Sequence, residues 1–151
     1  MDVRIRGVSE QDYSALCLLE QGSSESSSSY QAAVFIRQAM VLWPRTFLIA
    51  EKNGEFSGYY IGSLVPDAPL TGWVLRLKVC EGMRRQGLAT RLLIQGEEVM
   101  HRDGAEQMFL SCSPVNHGAL ALYERLSYRV IRHEASYFGQ GEDRYILSKE
   151  L

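Results

Sequence analysis

Between Trp73 and Arg102 the hydrophobic period changes once, and that change limits what the chain can fold into. Trp73, Leu75, Leu77 and Val79 alternate with Arg76 and Lys78, the period of two of a β-strand. From Arg85 to Arg102 the apolar residues Ala89, Leu92, Leu93, Gly96 and Met100 recur at helical spacing. Asp103-Gly104 then supplies a stop. A strand that leads through a short basic turn into a long amphipathic helix needs a sheet beneath that helix.

The rest of the chain fills in the sheet. Asp2 to Gly7 alternates apolar and basic residues as a first strand, and Ser9 can cap a helix over Glu10 to Glu20. Tyr30 to Leu42 reads as a second helix, stopped by Pro44. Thr46 to Glu51 and Phe56 to Leu64 flank Lys52-Asn53-Gly54-Glu55, and Asn-Gly predicts a hairpin between them. Pro66 and Pro69 predict a loop. Gln107 to Cys112 reads as a strand, and Asn116 to Leu126 as a helix with Leu120, Tyr123 and Leu126 on one buried stripe. Tyr128 to Tyr137 and Arg144 to Ser148 read as closing strands joined by Gly139-Gln140-Gly141. The run Gly22 to Ser29 cannot bury apolar surface, which predicts a mobile loop or a frayed helix start. The expectation is one α/β (α+β) domain, residues 1–151, with a mixed sheet and helices on its faces.

Composition removes several functions. The 151 residues carry 16 Lys plus Arg against 18 Asp plus Glu, a formal net charge of -2, which argues against a general nucleic-acid binder. No apolar run approaches the roughly 18 residues of a membrane helix. Met1 to Arg6 is polar, with no signal-peptide core, so the expected location is cytoplasmic, with no membrane partner. Cys17, Cys80 and Cys112 form no CxxC pair, and His101, His117 and His133 form no HExxH pair, so no metal site is expected.

The chemistry concentrates in Leu77-Lys78-Val79-Cys80-Glu81-Gly82-Met83-Arg84-Arg85-Gln86-Gly87-Leu88-Ala89-Thr90. A helix start exposes unpaired backbone N–H groups and the positive end of its dipole, which suits an anion such as a pyrophosphate. Gly87 allows close approach, Ala89 keeps the next turn narrow, and Arg84 and Arg85 add charge. The alternative is a routine basic first turn. Arginine opposes the dipole there, so two of them call for an anion or a carboxylate partner. The Gly-Lys-Ser/Thr ending of a Walker loop is absent, and so is G-x-G-x-x-G.

Arg84-x-x-Gly87-x-Ala89 after a strand ending in Val79 resembles the acetyl-coenzyme A signature of the GNAT N-acetyltransferase superfamily, Gln/Arg-x-x-Gly-x-Gly/Ala. Val3-Arg4-Ile5-Arg6 with Glu10-Gln11-Asp12-Tyr13 resembles the family's opening strand and helix. Asn116, Ala119 and Leu122-Tyr123-Glu124-Arg125-Leu126-Ser127-Tyr128 resemble its late helix, with Ser127 and Tyr128 where Gly and Phe are usual.

The resemblance implies a mostly antiparallel sheet of six to seven strands with a V-shaped splay between strands four and five, and acetyl-CoA as co-substrate without a metal. The backbone of Leu77 and Val79 would hold the pantetheine arm as an added strand. The N–H groups of Arg85, Gln86, Gly87, Leu88, Ala89 and Thr90 would hold the pyrophosphate beside Arg84, and Asn116 would hold the cofactor from the opposite side. Asn is also a favoured helix N-cap, and both roles can coexist. Tyr123 matches the tyrosine that protonates the departing thiolate and touches the cofactor; the other reading is a core tyrosine. The acceptor amine would attack directly in a ternary complex and must lose a proton. Ser111 stands where peptide-modifying members often carry Glu. Glu51 is the candidate base, with Glu81 and a water chain to a backbone carbonyl or Ser111 as competitors. A ping-pong route through Cys80 or Cys112, with His117 as base, is the rival mechanism.

The tail Tyr137 to Leu147 is similar to the closing hairpin of the ribosomal-protein alanine N-acetyltransferase-like subgroup, which implies a protein or peptide amine as acceptor. The Asp67 loop and the serine run would flank it. A small amine (amino acid, polyamine, aminoglycoside) is the competing acceptor, and a non-catalytic acyl-CoA sensor the competing class. A homodimer is common in such folds, and no residue here selects it.

Overall fold

A computed structural model describes residues 2–22 and 27–151. Its strands are β1 (Val3–Gly7), β2 (Phe47–Lys52), β3 (Glu55–Val65), β4 (Ala68–Val79), β5 (Gln107–Cys112), β6 (Arg129–Glu134) and β7 (Arg144–Glu150). The helices are α1 (Tyr13–Gln21), α2 (Ser27–Leu42), α3 (Leu88–Arg102) and α4 (His117–Arg125), with one-turn 3-10 segments at Glu10–Asp12 and Glu81–Met83. The seven strands form one sheet in the order β1-β2-β3-β4-β5-β7-β6. Strands β4 and β5 are parallel, pairing Thr71–Trp73 with Gln107–Phe109, while β1–β2, β2–β3, β5–β7 and β6–β7 are antiparallel. This is the mixed, mostly antiparallel sheet that the sequence predicts. Of the serine run, residues 23–26 lie outside the described ones, and Ser27–Ser29 open α2.

The chain divides into two compact units, Met1–Gly62 with Leu75–Val99 and Ser63–Val74 with Met100–Leu151. In the first, Leu16 of α1, Ile36 and Ala39 of α2, Phe47 and Ile49 of β2, and Tyr59 and Ile61 of β3 form one fully buried cluster. Burying each large side chain contributes about 1.5–3 kcal/mol. Asn53 (φ 52°) and Gly54 (φ 82°) make the tight two-residue turn between β2 and β3, as Asn-Gly predicts. The β2–β3 register slips at Ala50/Glu51, leaving Ser57 as the extra residue. The Ser57 hydroxyl accepts from the Lys52 N–H (3.2 Å) and donates to the Glu55 carbonyl (2.8 Å). Leu88, Leu92, Leu93 and Gly96 form the buried stripe of α3 within this unit. At Gly96 a Cβ would lie 2.4 Å from the Tyr60 ring, so glycine is what lets the helix approach.

Boundaries differ from the sequence reading by three residues or more in several places: α2 begins at Ser27 and not Tyr30, β6 ends at Glu134 and not Tyr137, and the starts of α3 and β4 shift. The helix expected from Arg85 begins at Leu88, because Arg85 (φ 63°) and Gly87 (φ 78°) are left-handed and form the turn before it. The strand expected from Trp73 begins at Ala68, and only Pro66 and Asp67 separate it from β3. Pro69 is tolerated at the second residue of the strand. Gly72 is a packing residue: its Cβ would lie 2.5 Å from Met108 Sδ and 2.7 Å from Met100 Cε.

In the second unit Met108, Leu110 and Cys112 of β5 are buried, as are Met100, Ala105, Tyr128, Ile146 and Leu147. The rings of Trp73 and Phe109 stack at 5.7 Å on adjacent strands. Arg129, Arg132 and Glu134 keep the outer strand β6 charged, which discourages edge pairing. The stripe expected to be buried on α4 is half-buried, and no residue of α4 is fully buried. Among the described residues no helix is long and apolar enough to cross a membrane.

Candidate active site

The end of β4 sets which backbone groups are available. The Cys80 N–H donates to the Ser57 carbonyl at 2.8 Å, so Cys80 and, two residues back, Lys78 turn their peptide groups toward β3. Gly58 permits this, since a Cβ there would lie 2.6 Å from the Lys78 carbonyl oxygen. By alternation Leu77 and Val79 turn theirs away from β3. The Val79 carbonyl accepts from Arg84 Nε at 3.4 Å.

The chain then makes one 3-10 turn, with Met83 N–H to Cys80 carbonyl at 2.9 Å and Arg84 N–H to Glu81 carbonyl at 3.4 Å. It passes through extended Arg84 and left-handed Arg85 and Gly87 into α3. The Arg91 N–H closes onto the Gly87 carbonyl at 3.1 Å. The amides of Leu88, Ala89 and Thr90 therefore precede the first closed turn and stand as open donors. Arg84, Arg85 and Gly87 are exposed. A Cβ on Gly87 would meet nothing within 4 Å, so the space over the turn is open. Left-handed backbone, open amides and two guanidinium groups fit a diphosphate. The side chain of Gln86 is held by Lys52 at the end of β2, whose ammonium donates to Gln86 Oε1.

Glu51 is engaged elsewhere. Arg6 donates through Nε to the Glu51 carboxylate and bidentately to Asp12, both bonds 2.8 Å. Asp12 also accepts from the Ser9 N–H at 2.8 Å and the Ser9 hydroxyl at 3.2 Å. Burial works to raise the Asp12 carboxyl, but the bonds from Arg6 and Ser9 prevail and hold it below its ordinary value. Bonds from Asp12 first, then Glu51, hold Arg6 protonated against its own burial. The carboxylate expected to act as base thus closes a clasp between β1, β2 and the start of α1. Glu81, the other candidate base, is exposed on its 3-10 turn.

The second unit holds Asn116 and Tyr123. Asn116 caps α4, its Oδ1 accepting from the Ala119 N–H at 3.1 Å. The Tyr123 ring meets the edge of Tyr128 at 6.0 Å. Burial, then the neighbouring Cys112, pushes the Tyr123 phenol up to about 12, so it keeps its proton at neutral pH, as a general acid must. Burial also raises the thiols of Cys80 and Cys112, the direction opposite to that of an activated nucleophile. Ser111 is half-buried opposite Ile146. The hairpin between β6 and β7 is clasped by Asp143, which accepts from the Ser136 N–H at 2.8 Å and faces His133 Nε2 at 3.2 Å. Tyr137 and Phe138 are exposed on it, with the Arg144 guanidinium 5.0 Å from the Phe138 ring.

The sequence reading missed a further cluster. Glu20, at the end of α1, has a buried carboxylate that accepts from Arg76 Nε (2.8 Å) and the Tyr59 hydroxyl and lies 3.5 Å from Lys78 Nζ. The alternation of Arg76 and Lys78 on one strand face was its only signal.

Comparison with known proteins places this geometry. The family model for the acetyltransferase (GNAT) family matches residues 13–128. An N-alpha-acetyltransferase 30 of Schizosaccharomyces pombe is 31% identical over 134 residues, covering 86% of this chain and 87% of that protein. An N-alpha-acetyltransferase of Saccharolobus solfataricus is 34% identical over 88 residues, which are 58% of this chain and 53% of that protein, so the chain spans about half the length of that relative. A chain in the solved structure of the NatC complex bound to Gag peptide and CoA superposes with a TM-score of 0.84 at 22% identity, covering 100% of this chain and 99% of that one. The chain belongs to the acetyltransferase (GNAT) family.

Proposed function

We propose that this single domain moves the acetyl group of acetyl-CoA to the α-amine of a peptide or protein by direct attack in a ternary complex. One observation carries the cofactor half of the reading. The turn Arg84–Gly87 is left-handed at Arg85 and Gly87, basic and open, and it feeds free amides into α3. The co-substrate supplies a thioester whose carbonyl is open to an amine. Arg85, Gln86, Gly87, Leu88, Ala89 and Thr90 hold its diphosphate through their N–H groups, Arg84 adds charge, and the outward peptide groups of Leu77 and Val79 pair with the pantetheine amides. Asn116 caps α4 and offers its amide to the same molecule. Tyr123 is the acid that protonates the leaving thiolate. Its raised pKa keeps it protonated at neutral pH, able to donate to the departing sulfur.

The acceptor half is supported by the relatives, which are named as N-alpha-acetyltransferases. No carboxylate occupies the position of Ser111, and Glu51 is held by Arg6, so the amine's proton leaves by water at Ser111 and a backbone carbonyl. The test offers the protein acetyl-CoA with a pooled set of peptides and, separately, amino acids, polyamines and aminoglycosides, and reads the acetyl mass shift. Peptides modified at their first residue support the reading. Modification of small amines alone replaces the acceptor class. Tight CoA binding with no product from any amine makes the domain a sensor.

A further inference from the structure

We propose that Lys52 is a positioning residue that sets the diphosphate turn through Gln86; this rests on the reading of Arg84–Thr90 as that turn. Gln86 lies between two left-handed residues, Arg85 (φ 63°) and Gly87 (φ 78°). On either side of it the turn is held by backbone bonds: Arg84 N–H to Glu81 carbonyl before it, and Arg91 N–H to Gly87 carbonyl after it. Between those two bonds the turn can be held by side-chain contacts. The Lys52 ammonium supplies one by donating to Gln86 Oε1 from 34 residues away in sequence.

Lys52 is itself well placed to act as an anchor. It is the last residue of β2, paired with Val3 on one side and Glu55 on the other. Its N–H donates to the bulge residue Ser57, whose carbonyl also holds Cys80 at the start of the turn. One rigid hairpin thus grips both ends of the segment Cys80–Gln86. A turn held this way needs less ordering when the ligand arrives, and the gain shows as affinity for the diphosphate. Lys52 acts through Gln86 and is not assigned a contact with the ligand.

The test is calorimetric titration of coenzyme A into the whole protein and its variants. Lys52→Met and Gln86→Ala should each weaken binding about tenfold, the loss expected for a charge-assisted hydrogen bond to a preorganised loop. The double variant should be no weaker than either single one, and Lys52→Arg should recover most of the affinity. Dephospho-coenzyme A, which keeps the diphosphate but lacks the 3′-phosphate, should show the same loss. Additive losses, or a loss that disappears with dephospho-coenzyme A, would mean that Lys52 touches the ligand directly and would overturn the proposal. Wild-type affinity in Lys52→Met also overturns it, provided Gly87→Glu abolishes binding. If Gly87→Glu binds normally, the diphosphate reading itself is what fails.

Discussion

Gly87→Ala separates backbone strain from ligand exclusion at the turn. Gly87 sits at φ 78° with no atom within 4 Å of a built Cβ. A methyl group there meets no steric clash in the free protein, so the folding cost is that of a left-handed alanine, about 1–2 kcal/mol. For a chain of this size that lowers Tm by about 2–8 °C. The same methyl projects into the space that the diphosphate is proposed to occupy, and losing close approach to even one phosphate oxygen should raise the Kd for coenzyme A at least about tenfold, or 1.4 kcal/mol. Gly54 is the internal control. Its φ is 82°, its Cβ would also meet nothing within 4 Å, and it lies in the β2–β3 turn. Gly54→Ala should show the same fall in Tm with unchanged affinity. Thermal melts and calorimetric titration of the two variants read both quantities. If Gly87→Ala binds coenzyme A as the wild type does, or if Gly54→Ala loses as much, the turn does not clasp the diphosphate.

Other perturbations test separate parts. Tyr123→Phe keeps the ring against Tyr128 and removes the proton, so kcat should fall by about 10²–10⁴-fold with the KM for acetyl-CoA little changed in steady-state kinetics. Gly96→Ala gains about 1 kcal/mol of helix propensity but forces a Cβ to within 2.4 Å of the buried Tyr60 ring; overpacking costs up to about 3 kcal/mol, so chemical denaturation should show net loss, relieved by adding Tyr60→Leu. Asp12 has a folded pKa held below its unfolded value of about 3.9, so it stabilises the fold above that pH and the contribution is lost as pH falls through the folded value. Melts of Asp12→Asn should therefore start lower at neutral pH and converge on the wild type in acid.

The elements that were legible are those whose cause is local. Asn53-Gly54 specifies its own turn, because both residues tolerate left-handed backbone whatever surrounds them. Of the stripe expected on α3, Leu92, Leu93, Gly96 and Met100 are buried and Ala89 is half-buried. The displaced boundaries have non-local causes. Pro69 and Gly72 look like breakers in sequence, yet Gly72 lies in the strand because Met100 and Met108, far along the chain, need the room that a side chain would take. The three-residue error at the start of α3 has another origin. Arginine carries no left-handed preference, so nothing in Arg84-Arg85-Gln86 announces that φ is positive at Arg85.

The candidate site divides along the same line. The N-cap asparagine Asn116 was readable because a cap acts where it stands. What the sequence could not show is which charged side chains are already spoken for. Glu51 reads as a free carboxylate at the end of a strand, but Arg6, 45 residues away in sequence, takes it up together with Asp12. Lys52, its neighbour, reads as a turn residue, yet its ammonium reaches Gln86. Adjacent residues on a strand point to opposite faces, so Glu51 closes the β1 clasp while Lys52 reaches Gln86 in the turn before α3. The bulge residue Ser57 lies across from this pair on β3. Deleting Ser57 would remove the extra residue, and with it the carbonyl that holds Cys80. The deletion should therefore weaken coenzyme A binding more than Lys52→Met does, and calorimetry of a folded deletion variant with unchanged affinity would refute that chain of cause.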